Sequence, residues 1–339
     1  MLVSRNFGSL SDGRAVTAYR IVNSTGEYAE ILDYGGILHS LFIKDGNGLL
    51  RDVVLGASTA ETMGRGTNDG MLVGRCTNRI KDGTYTIDGH VFHLENPNPQ
   101  MQFLHSGKSN FGSQFFTVED TGSADSVHLH LEDDGSVGYE CLVHADVTYT
   151  LTDDHQLVID YKLTTEGDTL LNPTNHAYFN IGSPDIRTSI LQINAETYAK
   201  RTECGMPEGA VVPVEGTPLD FRKARQMGEA MTCCGDEYLY DDNFIIDGKG
   251  YREMACWTSP EAKLSMKVCS DMPGMVVFAA KSKEPKTGKY GQSLTLYPFV
   301  CFETQYISNA VNCEAYEKPV FKAGETLESR TAYIFSTIE

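Results

Sequence analysis

Basic residues are scarce in this chain: 28 lysines and arginines stand against 46 aspartates and glutamates over 339 residues, a formal charge of −18. Charge of that sign repels phosphate-rich partners, and no Lys/Arg-dense run forms a nucleic-acid footprint, so nucleic acid is excluded as a partner. Long hydrophobic runs are lacking too. Without an uninterrupted apolar stretch of about 18 residues, no membrane span is expected. The first nine residues have no apolar core of the kind a signal peptide needs. The nine cysteines are odd in number and scattered without CxxC spacing, and the adjacent Cys233 and Cys234 make a poor chelating pair. That usage reads as reduced, ordinary thiols, and a cytoplasmic location is expected.

Several catalytic signatures are missing as well. The run Gly64-Arg65-Gly66-Thr67-Asn68-Asp69-Gly70 is glycine-rich, but its spacing fits neither the dinucleotide nor the P-loop pattern. There is no HExxH and no GxSxG. Nothing demands a nucleotide, a structural zinc or a serine nucleophile.

Helical periodicity is equally thin, with residues 222–231 the best candidate and 58–63 a weaker one. What fills the chain instead is strand pattern: residues 15–22, 37–43, 127–131, 141–151, 156–163, 264–269, 293–301 and 331–336 alternate or are β-rich. Gly, Asp and Asn punctuate the gaps, as at Asp45-Gly46-Asn47-Gly48, Asp88-Gly89 and Asp134-Gly135. Two of these runs flank Thr152-Asp153-Asp154-His155 as a β-hairpin. Strand after strand without amphipathic helices between them predicts an all-β fold, a large antiparallel β-sandwich with few short helices. No linker or fixed-period repeat divides the chain, so residues 1–339 are expected to form a single domain.

Polar residues concentrate in three apolar, β-like settings. The first is Gly74-Arg75-Cys76-Thr77-Asn78-Arg79-Ile80, followed downstream by Phe103-Leu104-His105-Ser106-Gly107. The second is Asn172-Pro173-Thr174-Asn175-His176-Ala177-Tyr178-Phe179-Asn180. In the third, Phe299-Val300-Cys301-Phe302-Glu303-Thr304-Gln305, a carboxylate interrupts a hydrophobic strand. Buried and unpaired, Glu303 would cost free energy; the plain alternative is a solvent-facing edge position. His105 and His176, taken singly, read equally well as members of turn networks. His128 and His130, at i and i+2, share one strand face and are potential metal ligands, but no third ligand stands near them in sequence.

Taken together and in order, GRxxNRI, LH-x-G, NPTNHAYFN, Pro218-Leu219-Asp220-Phe221-Arg222, Tyr240-Asp241-Asp242-Asn243-Phe244 and Phe302-Glu303-Thr304-Gln305 resemble the aldose 1-epimerase (galactose mutarotase) family. The resemblance runs from Asp33-Tyr34-Gly35-Gly36 nearly to the C-terminus. It implies the mutarotase-like supersandwich with a sugar site on one concave face, a monosaccharide as the small-molecule partner, and no cofactor or metal. Residue by residue, it implies that Glu303 is the general base and His176 the general acid. His105 would be the second active-site histidine, and Asn78, Arg79 and Asp241 the sugar-binding positions. The chain departs from the family pattern at Ser106, where the turn usually has Gly, and at Asp242, where His is frequent. It departs again at Met272, in place of a Gln before Pro-Gly, and in having Phe115-Phe116 where a Trp is common.

The chemistry implied is interconversion of the α and β anomers of a free aldose. One proton leaves the O1 hydroxyl, another arrives at the ring oxygen, and the C1–O5 bond opens and recloses. With reference values of about 4.3 and about 6.5, the glutamate is expected to be ionised at neutral pH and the histidine, beside a carboxylate, charged. Related readings are a hexose-6-phosphate 1-epimerase, which needs basic residues for the phosphate, and a sugar-binding protein without turnover. A glycosidase with Glu303 and Asp241 as its two carboxylates leaves the TNH and LH segments unexplained.

Overall fold

The computed structural model describes residues 2–63, 69–95, 103–235 and 237–338. Most of the glycine-rich run, residues 64–68, lies outside them. Three antiparallel sheets make up the body. The largest has nine strands, with Ser126–Asp133, Val143–Leu151, Gln156–Thr165, Thr326–Thr337, Leu264–Ser270 and Arg252–Ser259 as consecutive neighbours at its centre. A five-stranded sheet runs in the order Pro207–Pro213, Thr197–Arg201, Asp241–Ile245, Gly274–Phe278, Cys301–Gln305. The N-terminal residues form another, from Val3–Ser9 to Leu50–Asp52.

The period-2 patterning explains how these sheets pack. In Val143–Leu151 every odd residue is buried and every even one partly exposed, so one face enters the core and the other meets solvent. The main core draws Ile31 and Leu41 from the N-terminal sheet, Leu129, Val147, Ile159 and Val268 from the large one, and Phe244, Val277 and Phe302 from the third. Apolar faces pressed together in this way are a β-sandwich.

The hairpin at residues 152–155 is present, with His155 at a positive φ of 62° closing the turn. Two expectations need correction. Of the candidate helix at residues 222–231 only Met227–Thr232 is helical, because Arg225–Gln226 has joined the edge of the large sheet, while the weaker candidate at 58–63 is a single 3-10 turn, Ala60–Thr62. Residues 293–301 are not one strand: Ser293–Leu294 and the strand beginning at Cys301 are separated by a segment containing Pro298, which has no N–H to give a ladder. Among the described residues no helix is long and apolar enough to cross a membrane.

Candidate active site

Glu303 sits mid-strand in Cys301–Gln305, opposite Val276 of Gly274–Phe278. Strand alternation sends Phe302 into the core and therefore turns Cys301 and Glu303 to the other face. That face is covered by the loops carrying the other two motifs, and Glu303 is only 2% exposed. The solvent-facing reading of Glu303 is thus overturned.

His176 follows the two-residue strand Thr174–Asn175, which pairs with Leu72–Val73. Its backbone is clamped on both sides: its N–H donates to Met71 O and its carbonyl accepts from Gly70 N. Gly70 has a φ of +76°, and a Cβ there would lie 2.3 Å from Leu38 O, so the clamp requires glycine. The asparagines of the motif serve as cement. Asn175 Nδ2 donates to Gly70 O, Asn172 Oδ1 accepts from Tyr306 N, and Asn180 Nδ2 donates to Pro298 O.

Arg79 and Leu104 pair across a short ladder, which brings Asn78 and His105 to adjacent turns, both at positive φ (64° and 50°). Non-glycine residues in that region mark strain held by the surroundings, a pattern that clusters at functional sites. Asn78 N–H donates to His105 Nδ1 at 3.2 Å. An Nδ1 that accepts leaves the proton of the neutral ring on Nε2.

All six residues assigned by resemblance converge. Asn78, Arg79, His105, His176, Asp241 and Glu303 line one pocket of about 220 Å³, walled also by Leu104, Tyr178 and Phe278. His176 Nε2 is 3.4 Å from Glu303 Oε1. The His176 ring stacks on Tyr178 at 5.1 Å and meets His105 edge-on at 5.6 Å. Arg79 Nη1 lies 3.6 Å from Asp241 Oδ2 and donates to Asn78 Oδ1 at 3.3 Å. Glu303 Oε2 and His176 Nδ1 are buried with no hydrogen-bond partner, a costly arrangement unless a ligand supplies the partners.

Burial also sets the protonation states, and here the sequence-based expectation is corrected. Desolvation pushes the Glu303 carboxyl up to about 8; the Asp241 carboxylate adds to the shift and the Arg79 guanidinium opposes it. Desolvation pushes His176 down to about 4, against its backbone hydrogen bonding. His105 falls well below its ordinary value through burial, with His176 and Arg79 contributing. Burial raises Asp241 as well, opposed by Arg79 and Arg201. Loss of hydration outweighs the attraction between carboxylate and imidazole that sequence reasoning had emphasised.

The departures now have places. Ser106 occupies the left-handed region at φ 58° and is held by Tyr139 Oη, Cys76 O and Cys76 N, so it substitutes for glycine without opening the turn. Asp242 points away from the pocket residue Asp241, to Arg201 (3.2 Å) and Tyr238 Oη (2.9 Å). Met272 does not line the pocket. It precedes the strand Gly274–Phe278 and faces a separate cleft with Pro273, Tyr306 and Tyr316, so its expected bearing on sugar contact is withdrawn. Tyr178 and Phe278 were not singled out. Tyr178 had a signal, standing two residues from His176 in a β-like motif; Phe278 had none.

A sandwich whose third sheet and overlying loops enclose a buried carboxylate, a buried imidazole and an apolar wall belongs to the class of β-fold enzymes that work by proton transfer. A profile of the aldose 1-epimerase family matches residues 17–334, and the chain belongs to that family. It is 30% identical over 338 residues to the galactose mutarotase of Pongo abelii, covering 97% of each chain. It is 27% identical over 335 residues to the aldose 1-epimerase of Escherichia coli K12, covering 96% of each. Among solved structures it is similar to an aldose epimerase homologue from C. elegans (TM-score 0.86, 28% identity, 94% of this chain and 98% of that one). The galactose 1-epimerase of Lactobacillus acidophilus shares the fold (TM-score 0.85, 21% identity, 100% of this chain and 99% of that one).

Proposed function

We propose that this chain, acting as one β-sandwich unit, is an aldose 1-epimerase that interconverts the anomers of a free monosaccharide, with Glu303 and His176 as its acid–base pair. The observation that carries this reading is the 3.4 Å contact between His176 Nε2 and Glu303 Oε1 inside a pocket of about 220 Å³. O1 and O5 of a pyranose both hang on C1, so an acceptor and a donor side by side match them.

With the His176 imidazole pushed down to about 4 and the Glu303 carboxyl up to about 8, each chiefly by burial, the proton count of the pair follows. Between those values the pair holds one proton, and one proton is what the reaction circulates. In its ion-pair form Glu303 takes the O1 proton while His176 gives its Nε2 proton to O5. The C1–O5 electrons leave with O5, and the O1–H pair closes the C1=O1 carbonyl. After rotation about C1–C2 the open-chain aldehyde recloses by the reverse transfers. Sugar hydroxyls entering the pocket supply the polar partners that Glu303 Oε2 and His176 Nδ1 lack, which favours the ion-pair form at the moment of need.

The remaining residues position the sugar. His105, neutral with its proton on Nε2, donates to a hydroxyl; Asp241 accepts, and Arg79 donates with charge assistance. Tyr178 and Phe278 give the apolar wall on which a sugar C–H face packs.

A phosphorylated substrate is disfavoured. Arg75 is fully buried and committed to Asp133 at 2.7 Å, and Arg79 stands 3.6 Å from Asp241, so both arginines of the GRxxNRI segment already face a carboxylate. Polarimetry of fresh α-anomers tests this. The chain is expected to accelerate mutarotation of D-galactose or D-glucose at least about tenfold more than that of D-glucose 6-phosphate. Equal or faster turnover of the phosphate ester would replace the free-aldose reading.

A further inference from the structure

The solvent face of the large sheet carries a second concentration of imidazoles, remote in role from the pocket. On Ser126–Asp133, His128, His130 and Glu132 alternate with the core residues Val127, Leu129 and Leu131. The sequence offered no third ligand for the two histidines. The fold supplies it from the next strand, whose antiparallel register sets His130 opposite Asp146 and Glu132 opposite His144.

His130, Glu132 and His144 each offer one donor atom, all within 4.8 Å of one another. Tetrahedral zinc with bonds of about 2.0–2.1 Å separates its donors by about 3.3 Å. The gap of roughly 1.5 Å is within reach of side chains at the surface, and the two imidazoles are 33% and 32% exposed. The two strands belong to the hydrogen-bonded centre of a nine-stranded sheet, so their backbones are already held in place.

The hydrogen bonds around the imidazoles decide which ring nitrogens are available. His130 Nδ1 is bonded to Asp146 Oδ1 at 2.8 Å, which leaves Nε2. His144 Nε2 is bonded to Glu166 Oε1 at 3.2 Å, which leaves Nδ1, itself 3.8 Å from Glu132 Oε1. A carboxylate behind each ligating imidazole is the arrangement that fixes tautomer and raises ligand basicity at metal centres. The two rings lie nearly parallel, 6.4 Å apart. His128 shares Asp146 at 3.2 Å, and Lys162 stands opposite Asp146 on the following strand, so Asp146 is balanced in charge and suited to support a ligand.

We propose that this face binds a divalent transition-metal ion of the zinc type through His130, His144 and Glu132, with Asp146 and Glu166 orienting the two imidazoles. Two imidazoles and a carboxylate with positions left open suit zinc, nickel or copper and not magnesium or calcium. The site clips two neighbouring strands together and has no part in the sugar chemistry.

Zinc chloride titrated calorimetrically into the full-length chain tests the proposal. The pocket residues His105, His176 and Glu303 present donor atoms at similar spacing, so the informative quantity is the difference between variants. Wild type is expected to take up one more equivalent of zinc than His144→Ala. Asp146→Asn should weaken that equivalent about 10–100-fold, and both variants should retain wild-type anomerisation rates. If His144→Ala fails to fold, Glu132→Gln takes its place with the same expected loss. Identical zinc uptake by wild type and the ligand variant, or no uptake by wild type, overturns the proposal.

Discussion

Glu303→Gln is expected to lower the rate of anomerisation by about 10²–10⁴ while the protein stays folded. Gln keeps the shape of the side chain and its neighbours, Val276 across the ladder and His176 at 3.4 Å, but its amide takes no proton from O1. The fold should in fact gain. In the folded chain the carboxyl titrates at about 8, against about 4.3 in an unfolded one. Between those values the folded state binds more protons than the unfolded state, so this group's contribution falls as pH rises. Glu303→Gln removes that dependence. Its melting temperature should therefore exceed that of wild type, by a margin that widens from pH 5 to pH 8. Slower catalysis combined with a wider stability margin at pH 8 is the signature of a buried catalytic base, and a structural glutamate would show the opposite. Polarimetry corrected for the spontaneous reaction, with thermal melts at the same pH values, checks both.

His176→Asn is the second large effect: a loss of about 10²–10⁴ in turnover, with KM changed far less because His105, Arg79 and Asp241 remain. The pH dependence should change form as well. Without the imidazole the shared proton has no second carrier, so the residual rate should no longer fall above about 8. Combining the substitution with Glu303→Gln should cost little beyond the worse of the two singles, because two groups sharing one proton act as a unit. Multiplicative losses in the double variant would mean the two residues work separately.

Much of this site is legible in the sequence. A glutamate inside Phe-Val-Cys-Phe-Glu draws attention because the strand around it is apolar, whereas the opposite facing of Asp241 and Asp242 follows only from the strand Asp241–Ile245. The order of the motifs singled out six residues, and all six are among those lining the pocket. The protonation states were not legible. They follow from complete desolvation of Glu303 and His176, which depends on loops contributed by residues some hundred positions apart. Phe278 was invisible for a related reason: it reaches the pocket only because its strand lies between those of Asp241 and Glu303. Met272 misled because its neighbours in sequence, Pro273 and Gly274, look like a site motif, whereas the strand begins two residues beyond it and Met272 lines a different cleft. His144 joined His130 only through the cross-strand register, which a hairpin pattern does not specify to the residue.

In the proposed mechanism one proton, shared by Glu303 and His176, does the work. The most direct test is the pH profile of kcat/KM for mutarotation of a fresh free aldose, measured by polarimetry from pH 3 to pH 10. Below about 4 the imidazole and the carboxyl are both protonated and no base remains; above about 8 both are bare and no acid remains. A plateau between those values with a fall on each side is the expected result. A rate that keeps rising with pH beyond 8, or is already lost on acidification from pH 7 to 6, would contradict it.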